Sequence, residues 1–184
     1  MTIEVLKNQI PDYAKDIKLN LSTMANDETL NTQQLWGTFL ASAIATGNAD
    51  VIQNIHAVAA EHLDDAAING AKSAAAIMAM NNVYYKFTGF MDETYRNMPA
   101  KLRMNVIANP GVENADFELW SLAVSIINGC KYCVLAHEKN LRDHDVSAEQ
   151  VQTAIRVAAT VRAVDAVLQA EAGLNADNNQ TMAA

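Results

Sequence analysis

The stretch Glu118-Leu119-Trp120-Ser121-Leu122-Ala123-Val124-Ser125-Ile126-Ile127-Asn128-Gly129-Cys130-Lys131-Tyr132-Cys133-Val134-Leu135-Ala136-His137 decides the reading of this chain. Its first half continues an apolar helix that starts near Asn114 and is closed by Asn128-Gly129. Gly129 lets the backbone turn, and Cys130 opens a second helix that runs to about Arg142. Two cysteines three residues apart at a helix start share one face, close enough for a disulfide. The free amide donors and positive dipole end of that first turn stabilise a thiolate, which lowers a thiol pKa from roughly 8.5 to about 7 or below. His137 lies four residues after Cys133, on the same face, where it takes a thiol proton or holds a thiolate as an ion pair. If the two helices run antiparallel, Glu118 meets the far part of the second one, where His137 lies. A carboxylate there fixes the imidazole tautomer and raises its basicity.

Outward from this segment the pattern is helix after helix. Short helices are expected from Ile3 to about Gln9 and from Pro11 to about Met24, with proline tolerated in a first turn. Asn31, with Gln34 three residues on, caps a helix through Leu35, Trp36, Phe39 and Leu40 that ends at Gly47-Asn48. A helix through Val51, Ile52, Ile55 and Val58 follows. Asp64 or Asp65 caps a long Ala-rich helix to about Tyr85, weakened slightly by Gly70 and closed by Thr88-Gly89-Phe90. Residues 89–98 read as an irregular connector, followed by a short helix from about Pro99 that ends before Asn109-Pro110-Gly111. Ser147, with Gln150 after it, caps the last helix, expected to reach about Ala170, and a polar tail from Asn175 is expected to fray.

The two halves of the chain look alike. Leu35-Trp36 and Leu119-Trp120 each lead an apolar helix that ends at a glycine, followed by a short helix and a capped Ala-rich one. The expectation is a single all-α domain over residues 1–184 built by degenerate internal duplication. The thiol-free half covers about 1–90 and the catalytic half about 99–173, with the two long helices paired in the core. Asn48–Ile52 stands where the second half has its cysteines.

Composition narrows the function. Hydrophobic residues make up 51% and charged residues 18%, a globular balance. The formal net charge is -8, with no basic stripe, so phosphate backbones and anionic lipid are disfavoured partners. No apolar stretch reaches membrane-spanning length, the N-terminus lacks a secretory signal, and a cytoplasmic location is expected. In that compartment a Cys-x-x-Cys pair is a reversible redox pair or part of a metal site. Zinc would take Cys130, Cys133 and His137 and would need a fourth ligand, for which His144, about two turns on, is the available histidine. Tyr132 is a core aromatic or reaches the site with its hydroxyl, and Lys131 is solvated or adds positive potential. His56, Met78, Met80, Trp36 and Trp120 read as structural.

The run from Glu118 to His137 resembles the active-site segment of the alkylhydroperoxidase D family, within the carboxymuconolactone decarboxylase-like group. The likeness covers the whole chain in length, helical layout and late motif. It implies an all-α alkylhydroperoxidase-D-like fold, a homotrimer, and an antioxidant peroxidase that reduces alkyl hydroperoxides and regenerates the peroxiredoxin alkyl hydroperoxide reductase C. Electrons would come from dihydrolipoamide carried by a lipoyl protein such as dihydrolipoamide succinyltransferase, with dihydrolipoamide dehydrogenase upstream. The chain itself would bind no cofactor and no metal. By the same resemblance Cys133 becomes a sulfenic acid, Cys130 supplies a proton and resolves it to a Cys130–Cys133 disulfide, and Glu118 and His137 form the proton relay. Some family members carry a histidine where this chain has Tyr132, a poor base near neutral pH. The helix-dipole argument favours Cys130 as nucleophile instead, so Cys130 could be the exposed thiol that meets partner disulfides. Two other readings stand: a non-redox decarboxylase or lactone-processing enzyme, and a redox-switched binding protein.

Overall fold

The computed structural model describes the backbone of residues 3–181 and the side chains through Asn175. Every regular element among the described residues is helical. Helix α1 (Ile3–Gln9) leads through a 3-10 turn (Asp12–Ala14) into α2 (Lys15–Ala25). Helix α3 (Thr32–Thr46) starts on the expected capping box, in which Asn31 Oδ1 accepts from the Gln34 amide and Gln34 Oε1 accepts from the Asn31 amide. Helix α4 (Ala49–Ala59) is capped by Asn48, and α5 (Asp65–Phe90) by Asp64. The short α6 (Glu93–Arg96) and α7 (Asn105–Ala108) join the halves. Helices α8 (Asn114–Ile127), α9 (Lys131–Asp143) and α10 (Ala148–Thr181) complete the fold. Ser147 and Gln150 form a second reciprocal box at the start of α10.

The centre is the α3–α8 pair. Residues 34–43 of α3 are all buried, as is almost every residue from Asp116 to Ser125 of α8. A helix covered on all sides belongs in the middle of a bundle. The long α5 and α10 each pack on both central helices, and among the described residues they make at most marginal contact with each other, contrary to the expected pairing. Their inner faces are rich in alanine (Ala67, Ala71, Ala74, Ala75; Ala154, Ala158), which permits close approach to the central pair. Exchanging α3, α4 and α5 for α8, α9 and α10 preserves most of the packing around the central pair: α3 on α4 becomes α8 on α9, and α5 on α9 becomes α10 on α4, while α10 on α9 has no matching contact of α5 on α4. This is the arrangement a duplication would leave.

Trp120 sets the register of α8. It is fully buried, and its indole N–H donates to the Gln34 carbonyl at 3.3 Å. Its ring fills a notch that exists only because two facing residues are glycines. A Cβ on Gly37 would stand 2.2 Å from the ring, and one on Gly70 would stand 2.9 Å from it and 3.1 Å from Val112. Gly70, read from sequence as a weak point of α5, is therefore half of the seat for Trp120. One turn earlier, buried Asp116 accepts from the side chains of Gln33 (2.7 Å) and Gln34 (2.9 Å), a second tie between α8 and α3.

The connector differs from expectation. Helix α5 continues through Thr88-Gly89 to Phe90, and residues 89–98 contain α6. The helix expected at Pro99 begins only at Asn105, because Lys101 takes a left-handed φ of 52° that a right-handed helix cannot include. Helix α10 passes Ala170 and runs to Thr181, through most of the tail expected to fray, and residues 182–184 lie outside the described residues.

Gly37→Ala should cost about 3 kcal/mol or more, since a rigid buried ring meets the added methyl. Gly70→Ala should cost clearly less, because its crowding is milder while both variants gain the same helix propensity of about 1 kcal/mol. Urea unfolding of both variants checks the order, and equal losses would contradict this seating of Trp120.

Candidate active site

Helix α8 ends and α9 begins within one tight turn. Gly129 adopts a φ of 68°, a conformation that penalises any side chain, and the Cys130 amide donates back to the Ser125 carbonyl at 3.1 Å. Helix α5 holds this turn from the side. Asn82 Nδ2 donates to Ser125 Oγ (2.9 Å), Asn82 Oδ1 accepts from Asn128 Nδ2 (2.9 Å), and Lys86 Nζ donates to the Asn128 carbonyl (2.6 Å).

Cys130 is the N-cap of α9. Its side chain folds back over the first turn, where the Cys133 amide donates to Cys130 Sγ at 3.3 Å. The two sulfurs are bonded, with Cα atoms 5.4 Å apart. Cys130 is 0% exposed and Cys133 4% exposed. Cys130 is therefore not the exposed thiol; curling back over the helix start to accept an amide buries it, while Cys133 reaches the wall of a cavity.

His137 lies one turn beyond Cys133 and is largely buried. Its Nδ1 stands 2.6 Å from Glu118 Oε2, and Asn140 Nδ2 reaches the same oxygen at 3.4 Å. The expected contact between α8 and α9 is present, and with an ionised carboxylate it places a proton on Nδ1. The other ring nitrogen faces Met78 Sδ at 3.3 Å. Met78, read as core filling, thus touches the site histidine. Tyr132 is 61% exposed and stacks on Tyr85 with ring centroids 5.9 Å apart.

Two cavities meet at this stacked pair. One, of about 260 Å³, is lined by Cys133 and His137 together with Met78, Asn81, Tyr85 and Met104. The other, of about 370 Å³, is lined by Lys86, Phe90, Arg96 and Lys131 beside the two tyrosines. Sequence reasoning missed the whole α5 wall of Met78, Asn81, Asn82 and Tyr85. The available signal was Asn81-Asn82, two adjacent amides directly after the apolar run Ala74–Met80.

Other candidates lie elsewhere. His144 Nδ1 faces the Asn140 carbonyl at 2.7 Å, and among the described residues no group of three or more His, Cys, Asp or Glu is placed to hold a metal. His62 stacks on Trp36, and His56 is exposed on α4. In the thiol-free half, Asn48 stands at the place that Cys130 occupies in the other. It donates to buried Asp165 (3.0 Å), which also accepts from Arg162 and Gln169, so this half carries a structural polar cluster.

The site is thus a buried disulfide with a carboxylate-backed imidazole beside it, opening onto a mostly apolar cavity. The pair can cycle between dithiol and disulfide while the imidazole moves protons. Residues 93–176 match the Carboxymuconolactone decarboxylase family. An alkyl hydroperoxide reductase AhpD of Gluconacetobacter diazotrophicus is 61% identical over 95% of this chain and 96% of its own length. Proteins of the same name from a Bradyrhizobium species and from Maricaulis maris are 57% and 55% identical over 94% and 93% of this chain, and 96% and 99% of their own lengths. With similarity at this level running almost end to end, the chain belongs to the alkyl hydroperoxide reductase AhpD family.

Proposed function

We propose that this protein is an antioxidant dithiol peroxidase that reduces alkyl hydroperoxides at Cys133, resolves the product with Cys130, and is reduced again by a lipoyl-borne dithiol. The observation that carries this reading is the Cys130–Cys133 pair one turn from a His137–Glu118 couple, with Cys133 and His137 lining one cavity.

In the reduced protein His137 takes the Cys133 proton, and Glu118 holds the imidazole in place. The Cys133 thiolate attacks the terminal peroxide oxygen. A sulfur–oxygen bond forms, the oxygen–oxygen bond breaks, and the alkoxide leaves with the Cys130 proton as an alcohol. Cys130 thiolate, at the α9 N-terminus, then attacks the Cys133 sulfenic acid. The departing hydroxide takes the proton from His137 as water, and the disulfide is restored. For re-reduction, one thiolate of the lipoyl dithiol attacks Cys133, the sulfur that lines the cavity. Cys130 leaves as a thiolate, stabilised by the Cys133 amide. The second lipoyl thiol releases Cys133 and closes the lipoyl disulfide. The chain binds no cofactor of its own in this scheme.

The same reading assigns the wider electron path. Dihydrolipoamide succinyltransferase carries the donor dithiol, dihydrolipoamide dehydrogenase recharges it, and the peroxiredoxin alkyl hydroperoxide reductase C is a disulfide substrate, all in the cytoplasm. It assigns a homotrimer too, and exposed apolar side chains at Val83, Phe87, Met98 and Leu102 supply surface for such an assembly. No helix among the described residues is long and apolar enough to cross a membrane. A decarboxylase or lactone-processing reaction, the reading the matched family's name would favour, gives the dithiol no part.

Three outcomes are expected. With dihydrolipoamide and an alkyl hydroperoxide, Cys130→Ser and Cys133→Ser should each abolish turnover, and full activity in either would eliminate the dithiol cycle. Glu118→Gln and His137→Phe should each lower turnover by about 10²–10⁴-fold, the usual range for a positioned base, and the double variant should lose far less than the product. Tyr132→Phe should lose less than either, and near-wild-type rates for both single relay variants would remove the relay. Light scattering at micromolar concentration should return three chains per particle, and a stable monomer would contradict the assembly.

A further inference from the structure

The larger of the two cavities beside the Tyr85–Tyr132 stack, of about 370 Å³, takes no part in the chemistry above. Its lining carries three cations, Lys86, Arg96 and Lys131, and no Asp or Glu. In a chain with 21 acidic and 13 basic side chains, that concentration of one sign is a feature to explain. Among the described residues Lys7, Lys139 and Arg162 each pair with a carboxylate, and none of the three cavity cations does. Lys86 donates instead to the Asn128 carbonyl, and Arg96 to the carbonyls of Thr88 and Gly89. Those bonds fix the two side chains in place and leave their charge uncompensated. Apolar side chains share the rim: Phe90, Tyr132 and Leu135 are 77%, 61% and 58% exposed. A small-molecule site encloses its ligand, whereas walls this open suit the surface of another protein. Exposed aromatic side chains beside arginine are what a partner covers at the centre of an interface. The place also matters. Gly129 and Lys131, on either side of Cys130, both line this cavity, and it shares Tyr85 and Tyr132 with the cavity of Cys133 and His137.

We infer that this cavity is the docking surface for the protein that reduces the disulfide, and that this partner presents acidic side chains interspersed with apolar ones beside its lipoyl arm. This rests on the lipoyl-dithiol reading above. Three cations that the chain's own acids leave uncompensated take up the partner's carboxylates, and the rim of Phe90, Tyr132 and Leu135 takes its apolar side chains. The chain as a whole carries a net charge of -8, so an acidic surface is repelled in other orientations and steered to this one. Seated here, the partner stands at the edge of the cavity that Cys133 lines, within reach for its arm. The exchange itself is the one already given: two electrons pass from the lipoyl dithiol to the Cys130–Cys133 disulfide, and the lipoyl group leaves as a disulfide. Docking adds orientation and encounter rate. Free dihydrolipoamide is small and uncharged and does not call on the cations.

The test compares two reductants of the disulfide by stopped flow: intact lipoylated dihydrolipoamide succinyltransferase and free dihydrolipoamide. With the protein donor the second-order rate constant should fall as salt rises from about 10 mM to about 150 mM, which shortens the Debye length from about 30 Å to about 8 Å. With the free donor it should stay flat. The double variant Arg96→Glu/Lys131→Glu should lose about tenfold or more with the protein donor at low salt and should respond to salt in the opposite sense, because two acidic surfaces then meet. The readout is the ratio of protein-donor to free-donor rates, which cancels any effect of the new charges on the neighbouring sulfurs. Arg96→Gln and Lys131→Gln should lower that ratio by smaller factors, and they guard against a double variant that does not fold. Equal losses with both donors, or a wild-type rate with the protein donor that ignores salt, would overturn the assignment. So would a changed particle mass in light scattering of the Gln variants, which would make this face an interface between copies of the chain. Slower oxidation by a carboxylate-bearing fatty-acid hydroperoxide, with the protein-donor rate intact, would also overturn it in favour of a small anionic ligand. If free dihydrolipoamide did not reduce the wild type, the lipoyl reading would fail first, a distinguishable result.

Discussion

The seating of Trp120 between Gly37 and Gly70 is the constraint from which the site follows. An indole is too large to shift inside a close-packed core, so the ring fixes α8 on α3 and α5 at one rotation and one height. Glu118 lies two residues before it, and the Ser125–Gly129 turn begins five residues after it, about one and a half helical turns on. Once α8 is fixed, that turn has one place to be, and α9 starts there with Cys130 as its first cap. The carboxylate, the two sulfurs and the imidazole are thus carried by two antiparallel helices whose offset is set by packing some distance away.

The polar ties repeat this logic at smaller scale. Asp116 locks the start of α8 to Gln33 and Gln34, while Asn82 and Lys86 lock its end to α5. A redox pair needs such support, because forming and breaking the disulfide must not move His137 away from Glu118. The thiol-free half uses the equivalent place for a cluster around Asp165, with Asn48 as cap in place of Cys130. The same architecture thus carries the disulfide in one half and a structural polar cluster in the other.

What could be read from the sequence was local or periodic. Cys130, Cys133 and His137 share a helix face by spacing alone, and Glu118 followed from a tight turn between two helices; both expectations agree with the geometry. Caps were legible at Asn31 and Ser147 because reciprocal bonding leaves a three-residue signature. The contribution of α5 was not legible. Met78, Asn81 and Tyr85 lie some fifty residues from the cysteines, and nothing in an Ala-rich helix tells which turn will face a site on another. Gly70 read as a defect because its purpose is the shape of a distant ring. The helix expected at Pro99 failed on the left-handed backbone at Lys101, which residue type does not announce. The two long helices do not pair in the core because length does not make a helix central, whereas burial on every face marks α3 and α8 as the centre.

The account turns on Cys133 as the thiol that meets peroxide, since it lines the cavity with His137 while Cys130 is wholly buried. The direct measurement is sulfenic-acid trapping. Each single Cys→Ser variant is reduced, treated with one equivalent of cumene hydroperoxide in the presence of dimedone, and digested for mass spectrometry. The account predicts a dimedone adduct on Cys133 in Cys130→Ser and little or none on Cys130 in Cys133→Ser. An adduct formed preferentially on Cys130, or none in either variant, would contradict it.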